Sequence, residues 1–485
     1  MASFQLRNLK AYLHQIYATL IVCLVYMCVG VGVVYSAVLI PQLKNDSGAI
    51  RVSDSEQLWI VNCINLVIPL LSIFTGLITD KCGRLFVLKI TVVPHVLGWA
   101  IIALAKTNAM IIVGRILTGF ALAFQMGPCF VYISEISTPN MRGALLAMPV
   151  VFFGLGSLLT YVGGYLASWR VVAWFACAHG ILSTSLLYTL PSSPSWLVSK
   201  NRIDEAIKSL TWLSKYQTDD PDQLEQFVEE EVSKMKDEQT FNKNQSQPTT
   251  KLQMICLPIV YKPLVILTML MFFQQFAGIN VLLMNTVIFF EHIGTKVDPY
   301  LSSNYLAIVR FGMTIISVWI MKKFGRRPLL MINFFGMAVS MGISGLYTKW
   351  ITEGLTTHTW VPLCMLITYT VFTSCVMSIP FSLAGEIFPL GVRGIASNTV
   401  LGLLFIFSFA SVSSYPSMIS EMGGIHNLQY FYSVMASAGV LFTFLFVPET
   451  LNKRLSEIEP FFWTHTMAVT KLQRSKVKTT VEQCV

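Results

Sequence analysis

Long apolar stretches recur about twelve times along the chain, and nothing else in the sequence limits its fold so strongly. Roughly 20 mainly apolar residues, wound as a helix, cross the ~30 Å hydrocarbon core of a bilayer. The first six stretches run approximately Ile16–Ile40, Leu58–Thr79, Phe86–Ala105, Ala109–Ser134, Ala144–Ala167 and Val171–Leu190. The second six run approximately Pro263–Phe290, Leu301–Met321, Leu329–Thr348, Val361–Ala384, Ile395–Met418 and Tyr430–Val447. Prolines and glycines inside them are tolerated, because neighbouring helices re-satisfy freed backbone groups. Composition agrees: 12% of residues are charged and 54% hydrophobic, with mean hydropathy +0.62, against about 25% charged in a soluble domain. A disordered chain, a nucleic-acid reader and a conventional soluble enzyme are excluded. The net charge of +9 lies between the spans and forms no single patch. The first span is too long for a signal peptide and lacks a clear small-residue cleavage site, so it is expected to stay.

Basic residues near the spans set the orientation. Arg7, Lys10, Lys81, Arg84, Lys89, Arg142, Lys322, Lys323, Arg326, Arg327, Arg393, Lys453 and Arg454 fall on the side of the termini. Lys44, Arg51, Lys106, Arg170, Lys296 and Lys349 fall on the other. Both termini are therefore expected in the cytosol. Asn45-Asp46-Ser47 then becomes an outer-loop glycosylation sequon, while Asn244-Gln245-Ser246 is cytosolic and silent. Lys471, Arg474, Lys476 and Lys478 in the tail suit an anionic leaflet or plain solvation equally.

The expected organisation is a six-helix half over 1–190, a cytoplasmic linker over 191–261, a second half over 262–450 and a tail over 451–485. In the linker, Ile203, Ala206, Ile207, Leu210 and Leu213, then Leu224, Val228, Val232 and Met235, recur at helical spacing. These amphipathic helices are either solvated at their charged face or part of a gate. The halves repeat each other. Lys81-Cys82-Gly83-Arg84 answers Lys323-Phe324-Gly325-Arg326-Arg327, and Pro191-Ser192-Ser193-Pro194 answers Pro448-Glu449-Thr450. Glu135 and Arg142 stand seven apart, as do Glu386 and Arg393. Two matching halves imply rocking around a site near the midplane.

Fixed offsets of opposite charge suggest interlocking pairs at the cytoplasmic face. Asp80, Arg84, Glu135 and Arg142 form one candidate gate cluster, and Arg326, Arg327, Glu386, Arg393 and Glu449 the other. Exposed pairs contribute only about 0–1 kcal/mol each, which suits a latch that must open. Gly119, Ala123 and Gly127 form a small-residue face that lets the fourth helix pack closely and holds Arg115 inside the bundle. All ten cysteines lie in spans or on the cytoplasmic side, so no disulfide framework is implied. No metal-ligand spacing, no phosphate loop and no catalytic constellation is present, so no cofactor, metal or catalytic residue is expected.

Taken together, Gly76-x3-Asp80-x2-Gly83-Arg84, Gly114-Arg115, Glu135 to Arg142-Gly143, Gln274-Gln275-x2-Gly278-Ile279-Asn280, Gly325-Arg326-Arg327, Glu386-x6-Arg393-Gly394 and Pro448-Glu449-Thr450 resemble the sugar porters of the major facilitator superfamily. So does Asn201-Arg202-Ile203-Asp204-Glu205-Ala206 with Trp212-Leu213 in the linker. The nearest branch is that of the insect facilitated trehalose transporters, with Pro149 in keeping. The resemblance implies an all-α membrane protein of twelve helices with cytoplasmic linker helices. It also implies a small sugar as ligand, lipid as solvent, and neither nucleic acid nor an obligatory protein partner.

A sugar needs amides and hydroxyls on apolar walls. Gln274, Gln275 and Asn280, with Asn285 beyond them, supply amides on the seventh span, where Gly278 permits local unwinding. Helix–helix hydrogen bonding is the competing use of such residues. The family's Trp over the sugar is Phe381 here, the eleventh span has Leu404-Phe405 where Asn-Trp is usual, and Val150 stands where many glucose carriers have Gln. Ser192 and Ser195 replace two charges, and Lys322 replaces an acid. Arg310, about a third of the way into the eighth span, takes the place of an amide. It either lines the cavity, with Glu291 the nearest acid and an anionic sugar a candidate ligand, or snorkels outward. The first span carries no Asp or Glu around Gly32-Val33-Val34-Tyr35-Ser36, which favours facilitative transport over proton symport, with sensing as the remaining alternative.

Overall fold

The computed structural model describes residues 11–45, 50–216, 220–244, 257–293, 297–388, 393–451 and 462. Among these, eleven helices are long and apolar enough to cross a membrane, and a bent helix over Asp54–Cys82 makes twelve if its two arms count as one span. Most outrun the apolar stretches read from the sequence. The first runs Leu13–Lys44 and the ninth Arg326–Thr352, because helices continue past the hydrocarbon into the polar headgroup layer. Pro69 lies inside the second span, where a missing N–H weakens the backbone ladder.

The seventh span is three helices, Pro258–Phe276, Ile279–Met284 and Thr286–Ile293. Gly278 breaks it in a left-handed conformation with φ 91°. A side chain there would be strained and would also meet the Tyr432 ring at 2.7 Å. Glycine at 278 is thus required twice, by backbone angle and by space.

Spans one to six pack chiefly among themselves, as do spans seven to twelve. Two long seams join the groups, second span to eleventh and fifth to eighth. Among the described residues the linker forms three helices, Pro194–Ser199, Ile203–Ser214 and Pro221–Asn244, around a small core of Trp196, Leu197, Val198, Ala206 and Val232. Ile203, Ile207, Leu210 and Met235 pack against that core, so the apolar stripes expected of the linker face inward. Trp196 Nε1 donates to Asp80 O at 3.1 Å and His14 stacks on Trp212 at 4.2 Å, which ties the linker to the first half.

Arg115 is fully buried. Its Nε donates to Ile60 O at 3.1 Å and its Nη1 to Gly32 O at 2.7 Å, joining the fourth span to the second and the first. The guanidinium has enough donors for two neighbouring backbones at once. Of the small-residue face beside it, Gly119 packs on Ile64 and the Ala123 carbonyl accepts from Thr75 Oγ1 at 3.4 Å. Gly127 instead has open space where a side chain would stand.

Candidate functional site

The break in the seventh span puts the amide-rich sequence deep in the bundle. Gln274, Gln275, Asn280 and Asn285 are all buried. Gln274 Nε2 donates to Val376 O on the tenth span at 3.2 Å, and Asn280 Nδ2 to Ser408 Oγ on the eleventh at 2.8 Å. Their N–H groups thus hold helices together. The Oε1 atoms of Gln274 and Gln275 accept nothing and are buried. Asn285 is different, since its Nδ2 bonds within the same turn to Val281 O at 3.4 Å.

Buried tyrosines from three other spans surround the break. Tyr369 donates to Ala277 O at 2.8 Å, and the ring of Tyr432 fills the space beside Gly278. Tyr161, from the first half, donates to Leu283 O at 2.6 Å and lies 2.8 Å from Thr286 Oγ1. Ser411 donates to Gln275 O at 3.0 Å. None of these was among the residues expected at the site. The chain has seventeen tyrosines, and nothing local marks the three that converge.

Arg310 sits in the same layer, 8% exposed, with Tyr161 and Tyr369 as its electrostatic neighbours. It forms no ion pair among the described residues. Glu291, the acid expected nearest to it, is an electrostatic neighbour of Tyr300, His292 and Tyr415. Phe381 lies on the tenth span. It is 45% exposed while the amides are buried, and Pro380 inside the tenth span precedes it.

Among the described residues, the side-chain hydrogen bonds that join the two halves all lie at the end away from the termini. Asn62 Nδ2 donates to Ser413 Oγ at 2.9 Å, Asn65 Nδ2 lies 3.5 Å from Met284 Sδ, and Ser36 Oγ lies 3.5 Å from Met284 O. The Tyr161 bonds complete the set. Asn65 also donates to Asn62 Oδ1 at 3.1 Å, which fixes the Asn62 amide for its partner.

The charged residues at the opposite end are grouped within halves. Arg84 Nη2 lies 2.9 Å from Glu135 Oε1 and 3.2 Å from Asp80 Oδ1, with Glu135 largely buried. A cavity of about 260 Å³ opens beside this cluster, between the second and fourth spans and Leu401. Arg142 Nη2 donates to Ser137 O at 3.4 Å and pairs with no acid among the described residues. Its seven-residue offset from Glu135 carries it past the end of the fourth helix onto Pro139–Leu145. In the second half Glu449 is a cap. Its carboxylate accepts from the backbone N–H of Arg326 at 2.9 Å and of Arg327 at 3.2 Å, at the start of the ninth span. Gly325 leaves the room, because a Cβ there would stand 2.2 Å from Glu449 Oε2. The guanidinium of Arg326 reaches Met321 O and that of Arg327 reaches Phe444 O. The side chains of Glu386, Arg393, Asn45, Asn244 and Lys322 lie outside the described residues, as does the basic tail.

Residues 15–462 match the family described as sugar (and other) transporter. A facilitated trehalose transporter of Apis mellifera ligustica is 30% identical over 94% of this chain and 89% of its own. One from Polypedilum vanderplanki is 29% identical over 92% of this chain and 87% of its own. Among solved structures, a major facilitator superfamily proton:xylose symporter bound to 6-bromo-6-deoxy-D-glucose superposes with TM-score 0.75 at 22% identity, over 93% of this chain and 100% of that one. A partially occluded, inward-open xylose transporter from E. coli gives 0.74 at 22%. The twelve-helix arrangement in two halves is therefore the major facilitator fold, and the chain, a multi-pass membrane carrier and no enzyme, belongs to the sugar (and other) transporter family.

Proposed function

We propose that this protein is a facilitative carrier of a sugar of the trehalose or hexose class. It works by alternating access in the plasma membrane, with both termini cytosolic. The observation that carries the reading is the pair of buried, unpartnered amide oxygens of Gln274 and Gln275 at the broken seventh span. An unsatisfied acceptor costs about 1–3 kcal/mol once desolvated, and a hydroxylated ligand relieves that cost. The relatives named as trehalose transporters support the substrate class.

Hydrogen bonds at the end away from the termini, and none between halves among the described residues at the other end, fit a carrier closed outside and open to the cytosol. In this state the Arg84–Glu135–Asp80 cluster serves as half of an inner gate that has yet to meet its counterpart. Proton symport is the rival reading, because the solved relative is a proton:xylose symporter. Against it, every Asp and Glu in the spans lies near a span end, which leaves no carboxylic acid in the central layer. Uptake of trehalose, glucose and xylose into vesicles carrying the purified protein, with and without a pH gradient, tests the proposal. Downhill uptake indifferent to the gradient supports it, whereas accumulation collapsed by a protonophore replaces it with symport. Orientation is tested separately. Asn45→Gln should remove a glycan in eukaryotic cells and Asn244→Gln should not, and the reverse result inverts the topology.

A further inference from the structure

Among the described residues, two arginines are buried in the membrane-crossing part of the molecule, and their surroundings differ. Arg115 commits donors to the carbonyls of Ile60 and Gly32 and serves the packing of three helices. Arg310 is 8% exposed, its Nη1 is buried without a partner, and its side chain makes no hydrogen bond among the described residues. A structural arginine in lipid is normally satisfied by backbone or acid, since leaving its charge bare in the bilayer costs at least about 2.5–3.5 kcal/mol.

The place of Arg310 is specific. Tyr161 and Tyr369 flank it, and their hydroxyls are fixed on Leu283 O and Ala277 O, on either side of Gly278 and Asn280. One residue and one turn further on, Phe311 and Thr314 stand against Gly154 of the fifth span, at 3.4 and 3.5 Å from a Cβ built there. The guanidinium is therefore held where the two halves meet, at the level of the break that carries the amides. Snorkelling to the outer surface is ruled out by its burial.

A neutral sugar offers oxygens to the guanidinium but no countercharge. A carboxylate offers both, and its two oxygens match the planar fork of an arginine. One cation calls for one negative charge. A phosphate ester brings about −1.5 to −2 at neutral pH, more than this layer can balance. The amides and tyrosine hydroxyls remain for the ligand's own hydroxyls. Resting on the central-site reading above, the geometry points to a more definite ligand: Arg310 makes this site a receptor for a polyhydroxylated monocarboxylate of the hexuronate class.

The test uses the purified full-length chain, with D-glucuronate, D-glucose, trehalose and glucose 6-phosphate as probes. Thermal stabilisation in detergent and uptake into vesicles are both read. Glucuronate should be recognised at a concentration at least about tenfold below glucose, the scale of one charge-assisted hydrogen bond. Arg310→Gln should reverse that ranking and Arg310→Lys should keep part of it. The wild-type panel alone decides the matter if the variants do not fold. Uptake of glucose or trehalose with glucuronate ignored overturns the inference and leaves the sugar-carrier reading standing. A preference for glucose 6-phosphate overturns it as well. Recognition of none of the four overturns both readings.

Discussion

Removing the Tyr161 hydroxyl should loosen the outer closure by a predictable amount. The hydroxyl belongs to the first half, and its acceptor, Leu283 O at 2.6 Å, belongs to the second. Its one proton makes one donated bond, although Thr286 Oγ1 also lies 2.8 Å away. A buried neutral hydrogen bond contributes about 1 kcal/mol net, and in the outward-open state water serves both groups. Tyr161→Phe keeps the ring and its packing, so it should raise the ratio of outward-open to closed molecules about fivefold. Met284 reports the opening, because it lies in the same seam and is 1% exposed when closed. With Met284→Cys as the parent, an impermeant maleimide applied from outside should label Tyr161→Phe about five times faster. Adding Ser413→Ala, which removes the partner that Asn62 holds at 2.9 Å, should multiply the rate to about 25-fold if the two sites act independently. Equal labelling rates in all three proteins, at equal surface delivery, would refute the assignment of these bonds to the closed state.

Arg115→Leu strands the carbonyls of Ile60 and Gly32 in the interior. We expect about 3 kcal/mol of destabilisation or more, seen as lost monodisperse protein in size-exclusion profiles; a normal profile would mean that packing alone holds the three helices. Glu449→Gln keeps an acceptor at the start of the ninth span but removes its charge. It should cost about 1 kcal/mol and lower the melting temperature without altering substrate ranking, and a changed ranking would return Glu449 to the gate. Gly278→Ala forces a side chain into a left-handed backbone and toward Tyr432 at 2.7 Å. Strain of about 1–3 kcal/mol should depress transport together with stability, so wild-type transport would show that the break is not rigid.

The sequence by itself determined that the chain crosses a membrane about twelve times, in two repeated halves around a polar linker. Those properties are local or periodic. A span needs only length and apolarity, a linker helix only its stripe, and a left-handed break only Gly278 in the right run. The helix ends were legible to within a few residues for the same reason. Which partners meet was decided only by the tertiary structure. Arg84, Glu135 and Asp80 were expected together and stand together, because the second and fourth spans end at one level. Arg142 and Glu449 were expected to interlock with opposite charges, each in its own half's cluster, yet one reaches a backbone carbonyl and the other caps a helix. Charge at a fixed offset does not say where a helix stops. The exposure of Phe381 and the neighbours of Arg310 were not legible in the sequence, because both depend on rotation about a helix axis and on depth in the bundle. The three tyrosines around the break could not be singled out at all. Tyr161, Tyr369 and Tyr432 are more than sixty residues apart from each other in the chain, and they converge only when the fifth, tenth and twelfth spans pack around the seventh.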